Sequence, residues 1–129
     1  TMKEHERNAL ILFRIKRSKE TLFEINNLLD LNYLNTATNR IYYACFYAVL
    51  ALLLKNKIEA KTHAGVRQML GLHFVQTGKI SKEHGKFYST MFRNRITGDY
   101  DDYFEEDKEK IREMIAPAKD FIDTIEKML

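Results

Sequence analysis

The sequence predicts an all-α fold, an up-and-down bundle of four to five helices. Three observations predict it. Apolar residues recur at three-, four- and seven-residue steps along most of the chain, no stretch alternates as a half-buried strand would, and Gly and Pro together number six in 129 residues. A chain of this length builds one core and is short for two, so residues 2–129 read as a single domain. With 45% hydrophobic and 30% charged residues the composition is that of a folded chain rather than a disordered tail.

The first helix is marked by Ile11, Ile15, Leu22, Ile25 and Leu29, with Arg14, Lys16, Arg17, Lys19 and Glu20 filling the polar side. This pattern predicts one long amphipathic helix. A polar break, DLNYLNTATN, leads to the second, for which Thr36, Thr38 or Asn39 is the expected N-cap. From Ile41 to Leu54 that helix is apolar around nearly its whole circumference, so it must be covered on all sides, by a partner subunit or by an unusually central position. At 1.5 Å per residue the stretch spans about 21 Å, well short of a bilayer core of about 30 Å, which predicts a buried helix and no membrane span.

The third helix starts at THAGV with Thr62 as N-cap and ends at the Thr77-Gly78 pair, where glycine tolerates the left-handed conformation. Val66, Met69, Leu70 and Phe74 form its apolar face. Ser81 caps the fourth helix, Glu83 complements the dipole in its first turn, and Phe87, Tyr88, Met91, Phe92 and Arg95 run along it toward Gly98. Asp102 and Glu105 fit a capping box for a fifth helix, with Ile111, Ile115, Ala118, Ile122, Ile125 and Leu129 as its seam. Pro117 should kink or interrupt it.

Several chemistries are excluded or disfavoured by pattern. The chain has no GxxxxGK[ST], GxGxxG or GxSxG, and His5, His63, His73 and His84 are not spaced as metal ligands, so neither a metal nor a cofactor is expected. The acidic run DYDDYFEED (Asp99 to Asp107) lacks the alternation and central glycine of an EF-hand and reads as a solvated helix start. The formal charge is only +3, so an anion-binding surface must come from local clustering. Cys45 has no partner for a disulfide or a CxxC motif, and the early apolar run Ala9 to Phe13 is short for an export signal; both fit a cytoplasmic protein.

The block RNRITGDY (Arg93 to Tyr100) is the richest in chemistry. On a helix Arg93, Ile96, Thr97 and Tyr100 share one side, with Asn94 and Gly98 on a neighbouring one. Arginine offers a planar fork for phosphate, asparagine a donor and an acceptor, and tyrosine a stacking face with a hydroxyl, a combination suited to a nucleotide or RNA. Periodicity alone does not decide between such a site and a solvated helix end.

Five segments, NRIYYACFYAVLALLL, KTHAGV, FVQTGKIS, RNRITGDY and AKDFIDTIEKML, in this order and spacing, give the chain a resemblance to the HEPN (higher eukaryotes and prokaryotes nucleotide-binding) domain family, in particular its small stand-alone prokaryotic members. The resemblance implies a HEPN-like homodimer in which the arginine-bearing helices of both subunits line a shared cleft, and it explains the all-round apolar second helix. In ribonuclease members an arginine is followed after four to six residues by a histidine, and in some toxin members by a tyrosine two positions later. Here Arg93 and Asn94 are followed by Gly98 where that histidine would stand, then by Tyr100. A general acid or base typically contributes about 10² to 10⁴ in rate, and glycine supplies neither.

The resemblance therefore implies a dimer that binds a nucleotide or RNA through Arg93, Asn94, Asp99, Tyr100 and His63, working with a small nucleotidyltransferase partner in a toxin–antitoxin-like module. Tyr100 is then the candidate acceptor of a transferred nucleotide. One alternative is an active, metal-independent ribonuclease with Arg93 as catalytic cation and His63 or Asp99 as an unorthodox base, although an ordinary aspartate with a pKa of about 3.9 is a weak base near neutrality. Another is a purely structural oligomerisation module. Arg67 and His73 match the bare arginine-to-histidine spacing but fall outside the resembling block and on different helix faces. Tyr42 and Tyr43 read as core and interface side chains, and Arg40 as either an ion-pair partner or a ligand.

Overall fold

The computed structural model describes residues 2–100 and 107–129, with the backbone alone for 96–100. In chain order the helices are α1 (Glu4–Phe23), α2 (Ile25–Asp30), α3 (Leu34–Lys55), α4 (His63–Leu70) running on into a π-helical turn (Gly71–Val75), α5 (Lys82–Tyr100), α6 (Lys108–Glu113) and α7 (Ile115–Glu126). Among the described residues there is no strand. α3 is the axis of the bundle: it packs most extensively on α1, then on α5 and α7.

The expected first helix is divided in two at Glu24. Thr21 is buried and its hydroxyl donates 2.7 Å back to the Arg17 carbonyl, a bond that competes with the helical ladder and bends the chain. Just upstream, buried Ser18 donates 2.6 Å to the Ala44 carbonyl, which lets α1 lie close on α3. The start of α3 also departs from expectation. Asn32 takes a left-handed φ of 62°, and the chain turns so tightly that α3 begins at Leu34, leaving Thr36, Thr38 and Asn39 inside the helix.

From Ala37 to Leu53 α3 contributes eleven buried residues, and it is long and apolar enough by itself to resemble a membrane span. Its apolar surface is used instead by α1, α5 and α7, except along Tyr43, Tyr47, Leu50 and Leu54, which remain half-buried at four-, three- and four-residue steps. Cys45 is fully buried, and burial pushes its thiol well above the ordinary range.

Two expected caps hold: Thr62 accepts from the Gly65 amide at 2.9 Å and Ser81 from the His84 amide at 3.0 Å. Gly78 has φ +77° at the end of the π-helical turn, as the sequence predicts for that position. The capping box at Asp102 and Glu105 lies outside the described residues. Within them, Asp107 caps α6, accepting from the Glu109 amide at 2.9 Å. The break predicted at Pro117 occurs at Met114, one turn earlier. Proline has no N–H for the Glu113 carbonyl four residues before it and its ring crowds that carbonyl, so the helix yields there and Pro117 sits in the first turn of α7.

Candidate functional site

Three consecutive positions of α5 carry Arg93, Asn94 and Arg95, and at 100° per residue the two arginines point roughly 200° apart. Arg95 continues the buried stripe of Tyr88, Met91 and Phe92 and so turns into the bundle. Its guanidinium carbon lies 5.1 Å from the Tyr42 ring centroid and 5.8 Å from that of Phe92. Arg93 turns outward. It is exposed, and its Nη2 donates to Thr90 Oγ1 at 3.3 Å. Asn94 is half-buried between them.

His63 enters from the first turn of α4, positioned by the Thr62 cap. Its Nδ1 is 2.8 Å from Tyr42 Oη, and its ring stacks on Phe46 at 4.3 Å with Tyr43 edge-on at 5.6 Å. Partial burial lowers its pKa, and the charge of Arg95 lowers it further, which keeps the imidazole neutral near pH 7. The cluster thus couples α3, α4 and α5 through one hydrogen bond and a set of ring contacts. Beneath it, Tyr88 is fully buried and stacks on Phe121 of α7 at 5.6 Å.

Burial raises the pKa of both Tyr42 and Tyr88. Their hydroxyls are close enough to influence each other, yet Tyr88 Oη reaches no hydrogen-bond geometry, and Arg95 Nε is likewise buried without a partner among the described residues. Unsatisfied buried donors of this kind are rare and costly.

Of the residues singled out by sequence, the structure brings His63 to the inner side of α5 and Arg93 to the outer side. The guanidinium whose charge reaches His63 is that of Arg95. Arg95 was readable only as part of the apolar stripe of α5; an arginine at a core position is the signal that points to it. The side chains of Asp99 and Tyr100 lie outside the described residues, although α5 does continue through Gly98 to Tyr100. Arg67 packs over Phe92 at 4.7 Å, while His73 is exposed, so that pair forms no common site. Arg40 lies over Tyr43 at 5.4 Å. Among the described residues no three His, Cys, Asp or Glu side chains converge as metal ligands.

Arg93 also lines a groove of about 780 Å³ between α4 and α5, with Arg67, Lys82, Lys86, Ser89 and Thr90 around it. Cations and hydroxyl donors arranged in this way can hold phosphate oxygens, and a neutral imidazole beside a guanidinium can accept a proton.

A family model described as HEPN domain matches residues 11–128. The chain is 42% identical to a UPF0332 protein of Thermotoga maritima, over 97% of this chain and 95% of that protein. It is also similar to two proteins of Methanocaldococcus jannaschii, each named "Putative toxin". One is 36% identical and the other 31%, each over 89% of this chain, covering 85% and 78% of the respective relatives.

Proposed function

The chain belongs to the HEPN domain family, and on that premise we propose that it acts as a homodimer that binds a nucleotide or an RNA phosphate at the C-terminal half of α5. The observation that carries this reading is the position of Arg95, held against Tyr42 and Phe92 within reach of His63. Arg93 and Asn94, on the same turn, extend the site outward, and Asp99 and Tyr100 follow one to two turns along the helix. The half-buried stripe of Tyr43, Tyr47, Leu50 and Leu54 supports the dimer, because a second copy would cover it.

Two relatives named as toxins support a toxin–antitoxin-like setting; a cytoplasmic location and a small nucleotidyltransferase partner are further parts of the proposal. In that setting Tyr100 is the proposed acceptor. Its phenolic oxygen attacks the α-phosphate of a nucleoside triphosphate held by the transferase, its proton is taken up by a base or solvent, and pyrophosphate leaves.

One observation favours a second reading. A neutral His63 beside a guanidinium is the kind of base that the Arg93 block lacks, so a metal-independent ribonuclease remains the rival. Single-stranded RNA incubated without metal separates the two. Binding without cleavage, weakened by about tenfold or more in Arg95→Ala, is expected; cleavage that Arg95→Ala and His63→Gln both abolish would establish the ribonuclease, and neither binding nor cleavage would overturn both.

A further inference from the structure

The lining of the groove between α4 and α5 includes neither Arg95 nor His63, although Arg67, which does line it, lies 4.7 Å from the Phe92 ring centroid and Arg95 5.8 Å from the same centroid. On α5 the groove takes Lys82, Lys86, Ser89 and Arg93, at steps of four, three and four residues. Such spacing confines them to a stripe roughly 60° wide that runs about 16 Å along the helix. Arg67 faces this stripe from α4.

Among the described residues, none of Arg67, Lys82 and Lys86 forms an ion pair, and Glu83 is the one acid in the groove lining. The floor is apolar, formed by Leu70, Val75 and Tyr88. Gly85 allows α5 to approach the π-helical turn: a Cβ there would stand 3.0 Å from Val75 Cγ2. A π-helical turn breaks helical regularity in a way that recurs at functional sites, and here it forms one wall.

We propose that this groove seats the backbone of single-stranded RNA, with Lys82, Lys86 and Arg93 on one wall and Arg67 on the other holding successive phosphates. The inference rests on the reading of α5 as a nucleotide or RNA site and deepens it: the ligand is a strand rather than a mononucleotide. A line of cations interleaved with the Ser89 and Thr90 hydroxyls matches a linear polyanion with oxygens along its length, and an apolar floor suits sugars and bases. Length decides in favour of a strand. The cation stripe runs about 16 Å along α5, longer than one phosphate group can span, so its side chains serve successive phosphates.

The test is fluorescence anisotropy with 5′-labelled oligouridylates of two and ten nucleotides, on the wild type, on Lys82→Gln with Lys86→Gln, and on Arg95→Ala. Both lysines are exposed, so the double variant should keep the fold. The decamer should bind about tenfold or more tighter than the dinucleotide. The double variant should lose that advantage, keep its dinucleotide affinity, and reduce the slope of log K against log salt by about 1.4, near 0.7 for each phosphate contact removed. Equal affinity for the two lengths, or an unchanged salt slope in the double variant, overturns the groove. Preference for a labelled polyglutamate over the decamer overturns it as well, in favour of an acidic protein partner. Arg95→Ala reports on the other reading: dinucleotide affinity unchanged by it sinks the Arg95 site while leaving the groove standing.

Discussion

Two of the grooves on the bundle surface treat their cations in opposite ways. The one between α1, α2 and α7, about 610 Å³, is lined by Lys19 and Lys119, and both are paired: Lys19 with Glu126, and Lys119 with Asp123 at 2.7 Å. The α4 and α5 groove is lined by Arg67, Lys82, Lys86 and Arg93 with Glu83 alone opposing them. Similar concave surfaces therefore carry nearly cancelled charge in one case and concentrated positive charge in the other. A net charge of +3 for the whole chain hides this difference, because attraction of an anion depends on where the cations lack partners.

The largest expected effect comes from a core residue that lines neither groove and packs behind both. Phe121 is fully buried under Tyr88, which floors one groove, and is adjacent in sequence to Ile122, which lines the other. Phe121→Ala should cost about 3–5 kcal/mol of folding stability in urea or thermal denaturation and damage both grooves together. A loss confined to one groove would show that they are independent units.

Charge reversal should then separate them. Lys86→Glu with Arg93→Glu should weaken binding of a single-stranded RNA by about 100-fold, whereas Lys19→Glu with Lys119→Glu should leave it within about twofold. Equal losses from the two double variants would mean that the comparison rests on overall charge. A smaller effect of the opposite sign follows from unpairing. Glu126→Gln with Asp123→Asn removes the acids from Lys19 and Lys119 and should raise RNA affinity at that groove by up to about threefold, because exposed pairs are individually weak.

Much of the fold was legible because its determinants are local. The apolar period gives the helices, and Thr62, Ser81 and Gly78 act at the positions where the chain itself needs a cap or a left-handed turn. The departures have causes that period and capping rules do not encode: the Thr21 back-bond that divides the first helix, the tight turn at Asn32, and the reach of Pro117 back to Met114. The site was legible by segment and only partly by residue. The resemblance points to the RNRITGDY block and its Arg93, but a block does not say which face of α5 meets α4. The neighbours decide that: Tyr88, Met91 and Phe92 are buried, so Arg95 turns toward His63 and Arg93 toward the groove. Asn94 stands between the two sides, and sequence had no means of ranking the three.

The smallest effect concerns one proton, and it distinguishes the His63 cluster from both grooves. His63 faces Tyr42, Tyr43 and Phe46 of α3 and Arg95 of α5, and its pKa is lowered in the folded chain by partial burial first and by Arg95 second. The unfolded chain therefore binds a proton at His63 near pH 6.5, before the folded chain does. Above that pH neither state is protonated there and the residue adds no pH dependence. As pH falls through 6.5 the wild type should lose stability relative to His63→Gln, and the loss should level off below the folded pKa. A bound phosphate reverses the balance, since an anion beside the ring favours its charged form. RNA affinity should accordingly rise over the same interval in which the free protein weakens, and the rise should vanish in His63→Gln. Among the described residues neither groove is lined by a histidine, so binding confined to either should show no such dependence between pH 7 and 5. Equal pH profiles for the wild type and His63→Gln, in both melting and binding, would place His63 outside the anion site and leave its contact with Tyr42 as packing.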